Sequence, residues 1–138
     1  MKIRGVIDRV DKNMSGDLRV VDYKTGGSHL GANDLKKGQR LQLPIYAMAA
    51  QDALKLGKAV DGIYWKILAA EAGSLKLAKF KTEDGEGIEA ANDVARKHLK
   101  RILNGIHLAA FPPKKPDGGC PSYCPAVQWC WRYKAAGW

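Results

Sequence analysis

The sequence predicts an α/β (α+β) domain in which strands and helices share one hydrophobic core. Two stretches rich in Val and Ile flank a polar turn near the amino terminus, and two longer stretches repeat apolar residues at helical spacing. With 138 residues, 46% of them apolar, the chain is long enough for one core and too short for two. We therefore expect a single domain over residues 1–138.

The first two strands are expected to form a hairpin. Lys2–Val10 and Leu18–Thr25 carry the β-branched residues, and the polar segment Lys12–Asp17 between them is typical of a turn. A glycine-containing loop, Gly26–Gly31, follows the second strand.

The remaining elements alternate in type. Apolar periodicity predicts a helix from about Lys37 to Leu56, and because Pro44 lies within it, either the helix begins only a few residues earlier or its first turn is kinked. Two further strands, Asp61–Ala69 and Ser74–Phe80, and a second long helix, Glu86–His107, complete the predicted fold.

Residues 111–138 are rich in proline and glycine, which favours an irregular tail. All three cysteines of the chain, Cys120, Cys124 and Cys130, lie in this tail. An odd number of cysteines at close spacing favours a metal or cluster site over a disulfide framework, and it fits a reducing compartment.

The charge balance indicates a polyanionic partner. Lys and Arg number 23 against 14 Asp and Glu, a formal charge of +9 that attracts nucleic acid or an anionic membrane face. No stretch approaches the roughly 20 apolar residues of a membrane span, and no apolar signal segment precedes the first strand. We expect a soluble, cytoplasmic protein with no membrane partner.

The hairpin brings acidic side chains together. Facing residues of an antiparallel pair sum to a constant, and a turn centred on Ser15 sets Asp8 opposite Asp22. Opposed carboxylates repel unless a cation lies between them, and Mg²⁺ prefers such oxygen ligands. Lys24 shares their face because strand side chains alternate, and an ammonium there offsets charge that develops on a phosphate.

Three segments in this order carry a family resemblance: Gly5–Asp11, Val21–Gly26 and Leu41–Tyr46. Together they resemble the PD-(D/E)XK nuclease superfamily, in particular its RecB-like and AddB-like exonuclease branch. The resemblance implies a restriction-endonuclease-like core, with a mixed β-sheet whose active-site hairpin is flanked by helices. It also implies a Mg²⁺- or Mn²⁺-dependent deoxyribonuclease of DNA repair, recombination or defence, associated with the nucleoid and working with a helicase or with a recombination or CRISPR-associated partner.

The resemblance also implies a role for each matching residue. Asp8, Asp22 and the backbone carbonyl of Tyr23 would bind the metal, and Lys24 would be the catalytic lysine. The residues expected to support this centre or to contact DNA are Gln42, Tyr46 and Arg9. Gln42 and Tyr46 are four apart, on one helical face.

The cysteine tail resembles the carboxyl-terminal cysteines of members with an iron–sulfur cluster. Cys120, Cys124 and Cys130 are the candidate ligands, and the fourth is expected outside this chain because four thiolates normally hold such a cluster. Members of this branch open with a helical region that carries a further acidic or histidine ligand. The chain is therefore expected to be the carboxyl-terminal portion of such a domain.

Two other interpretations remain open. The domain is alternatively a catalytically silent DNA-binding or structural module of a helicase–nuclease complex. The cysteines alternatively bind zinc, with His107 as the fourth ligand, or bind nothing.

Overall fold

The computed structural model describes residues 3–26, 31–111, 123–126 and 130. The chain divides into two compact units, of which the first ends at Ile102 and the second begins at Leu103. The sheet and the candidate site belong to the first unit. The expectation of one domain over residues 1–138 stays a prediction, and most of the tail over 111–138 lies outside the described residues.

A four-stranded mixed sheet forms the centre of the first unit. Its strands are β1 (Arg9–Lys12), β2 (Asp17–Lys24), β3 (Lys58–Lys66) and β4 (Glu71–Lys76), in that spatial order. The β1–β2 and β3–β4 pairs are antiparallel, whereas β2 and β3 are parallel. A parallel pair needs a long crossover, which the segment between Lys24 and Lys58 supplies. The predicted mixed α/β architecture is confirmed.

Within the described ranges, three α-helices accompany the sheet: α1 (Ala32–Lys36), α2 (Gln42–Met48) and α3 (Gly87–His107). A π-helical turn, Ala49–Ala53, continues α2. Pro44 is the third residue of α2, where a missing N–H breaks no intrahelical hydrogen bond. The first of the two alternatives for Pro44 is therefore correct, because the helix begins at Gln42 rather than near Lys37.

The core lies between one face of β2 and the helices. It contains Leu18 and Val20 of β2, Leu43 and Ala47 of α2, and Tyr64 of β3, all at most 2% exposed. Ile88 and Ala91 of α3 are also members of this core, so α2 and α3 both bury apolar faces in it. None of the helices in the described part of the chain is long and apolar enough to span a membrane.

The first strand is shorter than predicted. The sequence suggested Lys2–Val10, but the ladder begins at Arg9, and residues 3–7 have no regular secondary structure. The backbone N–H of Tyr23 donates to the carboxylate of Asp8 at 3.0 Å instead of to a backbone carbonyl of the first strand. The β1–β2 ladder therefore ends where the Asp8 side chain accepts this hydrogen bond. Val6, which precedes the ladder, is 79% exposed.

Candidate active site

The hairpin has the register that its turn predicts. Arg9 pairs with Val21 and Val10 pairs with Val20, so facing residue numbers sum to thirty. Asp8 immediately precedes the ladder and is tied to β2 by the 3.0 Å hydrogen bond from the Tyr23 N–H to its Oδ2. The register and this hydrogen bond thus place Asp8 next to the segment of β2 that contains Asp22.

Asp22 is buried on the core-facing side of β2. It is 1% exposed, and its Oδ2 lies 2.5 Å from Nζ of Lys24. The contact satisfies the distance of an ion pair, yet Oδ2 has no hydrogen-bond partner of acceptable geometry among the described residues. The contact nevertheless places a cation on this buried oxygen, and this offsets the cost of burying the carboxylate.

A chain of hydrogen bonds runs from Lys24 into α2. Lys24 Nζ donates to Gln42 Oε1 at 2.9 Å, and Gln42 Nε2 donates to Tyr46 Oη at 2.8 Å. The glutamine and tyrosine are four residues apart, so the first turn of the helix presents both on one face. These contacts fix the ammonium beside Asp22, and they bring together the residues that the sequence grouped.

Tyr64 lies beneath the lysine. Its ring centroid is 5.3 Å from Lys24 Nζ, a cation–π distance, and it is the register partner of Asp22 across β2 and β3. Burial and the nearby Asp22 carboxylate raise the pKa of Tyr64 to about 12. The phenol therefore stays protonated near neutral pH, and its Oη donates to the backbone carbonyl of Arg40 at 3.3 Å.

Sequence reasoning did not identify Tyr64. A parallel register between β2 and β3 is set by packing rather than by a turn, so the sequence contained no symmetry that would pair Tyr64 with Asp22.

Arg9 does not join this group. It pairs with Val21 in the ladder, so its side chain lies on the opposite face of β1 from Asp8. Its guanidinium contacts Asp11 at 2.6 Å and the Tyr23 hydroxyl at 3.2 Å. The expected role of Arg9 in DNA binding stays a prediction. Any DNA contact of Arg9 would be made on the face of the sheet opposite to Asp8.

The donor set fits a hard divalent cation. Asp22 supplies a carboxylate from β2 and Asp8 supplies one from the position just before β1, and the Asp22 carboxylate is buried. Within the described residues, no three His, Cys, Asp or Glu side chains gather closely enough to hold a metal on their own. A cation at this site would therefore depend on two carboxylates, with backbone oxygen, water or substrate as its remaining ligands.

The cysteines fall in the second unit or outside the described residues. Cys124 and Cys130 are partly exposed and free of disulfides, whereas Cys120 lies outside the part of the chain that the structure describes. The iron–sulfur assignment of all three stays a prediction.

Comparison with known proteins agrees with this geometry. A family model of the PD-(D/E)XK nuclease superfamily matches residues 1–131. The chain is also 31% identical over 124 residues to one subunit of the ATP-dependent helicase/deoxyribonuclease of Caldanaerobacter subterraneus subsp. tengcongensis. The alignment covers 85% of this chain but 9% of that relative's length. No solved structure matches the chain.

The predicted resemblance is therefore confirmed, and a relative of this kind is consistent with the RecB-like branch. With its hairpin, its mixed sheet and a family match over nearly its whole length, the chain belongs to the PD-(D/E)XK nuclease superfamily.

Proposed function

We propose that this chain hydrolyses phosphodiester bonds in DNA with the help of Mg²⁺ or Mn²⁺ held by Asp8 and Asp22. The observation that carries the proposal is the buried Asp22 carboxylate in contact with the Lys24 ammonium, together with the Asp8 carboxylate that the Tyr23 N–H holds at the neighbouring position. A formal charge of +9 favours a nucleic acid as the substrate, and the bacterial relative is part of a helicase/deoxyribonuclease.

The residues of the chain have separable tasks in this reaction. When bound, a divalent cation supplies Lewis-acid polarisation of the phosphate and activation of water. Lys24 stabilises the negative charge that develops on the phosphate, and it is effective because Gln42 holds its ammonium in place before the reaction. Tyr46 orients Gln42, and Tyr64 supports the lysine from below.

The finer proposals follow from the family branch. We propose an exonuclease that works with a helicase, or with a recombination or CRISPR-associated partner, in DNA repair, recombination or defence. The relative's name includes a helicase, but the chain spans only 9% of that protein. A nucleoid location and an iron–sulfur cluster at Cys120, Cys124 and Cys130 belong to the same set of proposals.

A cleavage assay on a labelled DNA strand tests the activity. The chain should cleave DNA with Mg²⁺ or Mn²⁺ and stop with EDTA, and Lys24→Ala should lower the rate by about 100-fold or more because it removes a transition-state contact. Lys58→Ala is the matched control, since it removes an exposed lysine at the other end of the sheet.

Equal cleavage by Lys24→Ala and the wild type would contradict the proposal. DNA binding by the wild type without any metal-dependent cleavage would favour the catalytically silent module instead.

A further inference from the structure

Arg40 has an unusual backbone for an arginine. Its φ angle is 56°, in the left-handed region that side chains other than glycine rarely adopt. It stands two residues before Gln42, at the entrance to α2. Strained residues of this kind persist only where surrounding contacts hold them, and they cluster at functional sites.

The contact that holds Arg40 comes from the candidate active site itself. The Tyr64 hydroxyl donates to the Arg40 carbonyl at 3.3 Å, and the ring of this fully buried tyrosine lies under Lys24. The backbone of Arg40 is thus tied to the residue that also supports the catalytic lysine. Any displacement of Arg40 would have to break this hydrogen bond.

The positive charge of Arg40 acts on Tyr64. Burial and Asp22 raise the pKa of Tyr64, whereas the positive charge of Arg40 lowers it. The side chain itself is exposed to solvent. Arg40 therefore combines a backbone that is hydrogen-bonded to the site with a side chain that is open to solvent.

This guanidinium, like those of Arg4 and Arg101, differs from the guanidinium groups of three other arginines. Arg9, Arg19 and Arg96 each pair with an aspartate, at 2.6, 3.2 and 2.9 Å respectively. In the part of the chain that the structure describes, no carboxylate pairs with Arg40. An unpaired guanidinium beside a nuclease site is suited to a phosphate, because its planar fork donates two parallel hydrogen bonds.

We propose that Arg40 is a phosphate-binding residue that holds the DNA backbone next to the phosphate cleaved at Asp8, Asp22 and Lys24. In this proposal the left-handed backbone orients the guanidinium toward the bound DNA strand. The hydrogen bond from Tyr64 links the backbone of Arg40 to the residue that contacts the catalytic lysine. This inference rests on the proposed function for the identity of the ligand.

Glycine substitution separates a structural role from a binding role. Arg40→Gly removes the guanidinium and also relieves the backbone strain, so the melting temperature should stay the same or rise. Lys55→Gly is the matched control, because Lys55 is an exposed cation with φ 54° at the far end of the helical segment that Gln42 begins. Both variants lose one positive charge from a left-handed position.

The probe is a fluorescein-labelled DNA strand of about 20 nucleotides, and its affinity is measured by anisotropy in EDTA so that no cleavage occurs. Arg40→Gly should weaken binding by about 10-fold near 50 mM salt, as expected for a lost charge-assisted hydrogen bond. It should also reduce the slope of log affinity against log salt by about 0.7. Lys55→Gly should stay within about twofold of the wild type, since a charge distant from the strand is screened.

Kinetics supply a second readout. In cleavage with Mg²⁺, Arg40→Gly should raise KM while kcat changes little, because a backbone contact beside the scissile phosphate binds ground state and transition state alike. Arg40→Lys should bind DNA more tightly than Arg40→Gly but less tightly than the wild type. It keeps the positive charge and loses the planar guanidinium that donates two parallel hydrogen bonds.

Three results would overturn the proposal: equal weakening by Arg40→Gly and Lys55→Gly, a fall in kcat at constant KM, or no binding of the strand by the wild type. Arg40-dependent binding by a protein that never cleaves DNA would instead support this inference and refute the proposed function.

Discussion

Asp22 and Asp61 are both buried aspartates of the sheet, yet the protein surrounds their oxygens differently. Asp61 Oδ1 accepts the N–H groups of Gly62 at 2.9 Å and Ala78 at 3.0 Å, and Oδ2 accepts Arg19 Nε at 3.2 Å. Oδ2 of Asp22 instead contacts the Lys24 ammonium at 2.5 Å, and it has no hydrogen-bond partner of acceptable geometry among the described residues. Backbone and side-chain donors satisfy the Asp61 carboxylate, whereas the Asp22 carboxylate depends on the Lys24 ammonium.

Asp61→Ala should therefore act on stability. The substitution leaves two backbone N–H groups without their acceptor, and we expect a loss of about 1–3 kcal/mol in the free energy of unfolding, measured by urea denaturation. The metal-dependent cleavage rate of the folded fraction should remain near that of the wild type. A stable Asp61→Ala variant with no activity would contradict the structural role.

Asp22→Asn should show the opposite pattern. The amide keeps the shape of the side chain but removes the charge that a cation and Lys24 need, so cleavage should fall by about 100-fold or more while the urea midpoint changes little. A variant that retains full activity would show that Asp22 is not a metal ligand.

Sequence reasoning reached some of these residues and missed others for physical reasons. Asp8, Asp22 and Lys24 could be grouped from the sequence because a tight turn fixes the register of the strands beside it, and their role as site residues stays a prediction. Gln42 and Tyr46 were grouped by helical spacing, and the fold brings them to Lys24. Arg40 was not found, because a left-handed backbone at an arginine depends on tertiary contacts and leaves no mark in residue type.

At the scale of elements, the parallel pair β2–β3 decides where the site forms. Asp22 of β2 and Tyr64 of β3 are register partners. The helix α2 lies in the crossover between these strands, and it places Gln42 and Tyr46 next to Lys24. The hairpin register and the long α3 were predictable from local patterns, whereas for α2 only the start near Pro44 was offered, as one of two alternatives. The short α1 was not, since its five residues show no full apolar period.

Gly62 allows β3 to pack closely against its neighbours. A Cβ at this position would lie 2.8 Å from Leu77 and 2.9 Å from Val20, closer than side-chain atoms pack. Gly62→Ala should lower the free energy of unfolding by about 1–3 kcal/mol, because it overpacks a filled core. Urea denaturation measures this, with Gly26→Ala as the control, since no atom lies within 4 Å of a Cβ there. Equal stability of the two variants would show that the core tolerates the methyl group.

At the scale of the whole molecule, the excess of positive charge is expected to dominate DNA affinity. A net charge of +9 predicts that binding rests on phosphate contacts and weakens with salt. Raising the salt from about 50 to about 200 mM should reduce the affinity for a labelled DNA strand by about 10-fold or more. Affinity that is independent of salt would indicate recognition of another kind.

The overall fold class was predictable because one core, one hairpin and two long helical periods leave few arrangements. Its division into two units at Ile102 was not, since α3 continues through that point without a break in its sequence pattern.

The central claim is that the Asp22 carboxylate of β2 and the Asp8 carboxylate just before β1 hold a divalent cation beside Lys24. A calorimetric titration of the metal-free protein with Mn²⁺ tests this directly. Asp8→Asn and Asp22→Asn should each weaken binding by at least about 10-fold, since each removes a charged ligand. Asp11→Asn, which alters the opposite face of β1, should bind like the wild type. Undiminished Mn²⁺ binding by both Asp8→Asn and Asp22→Asn would contradict the claim.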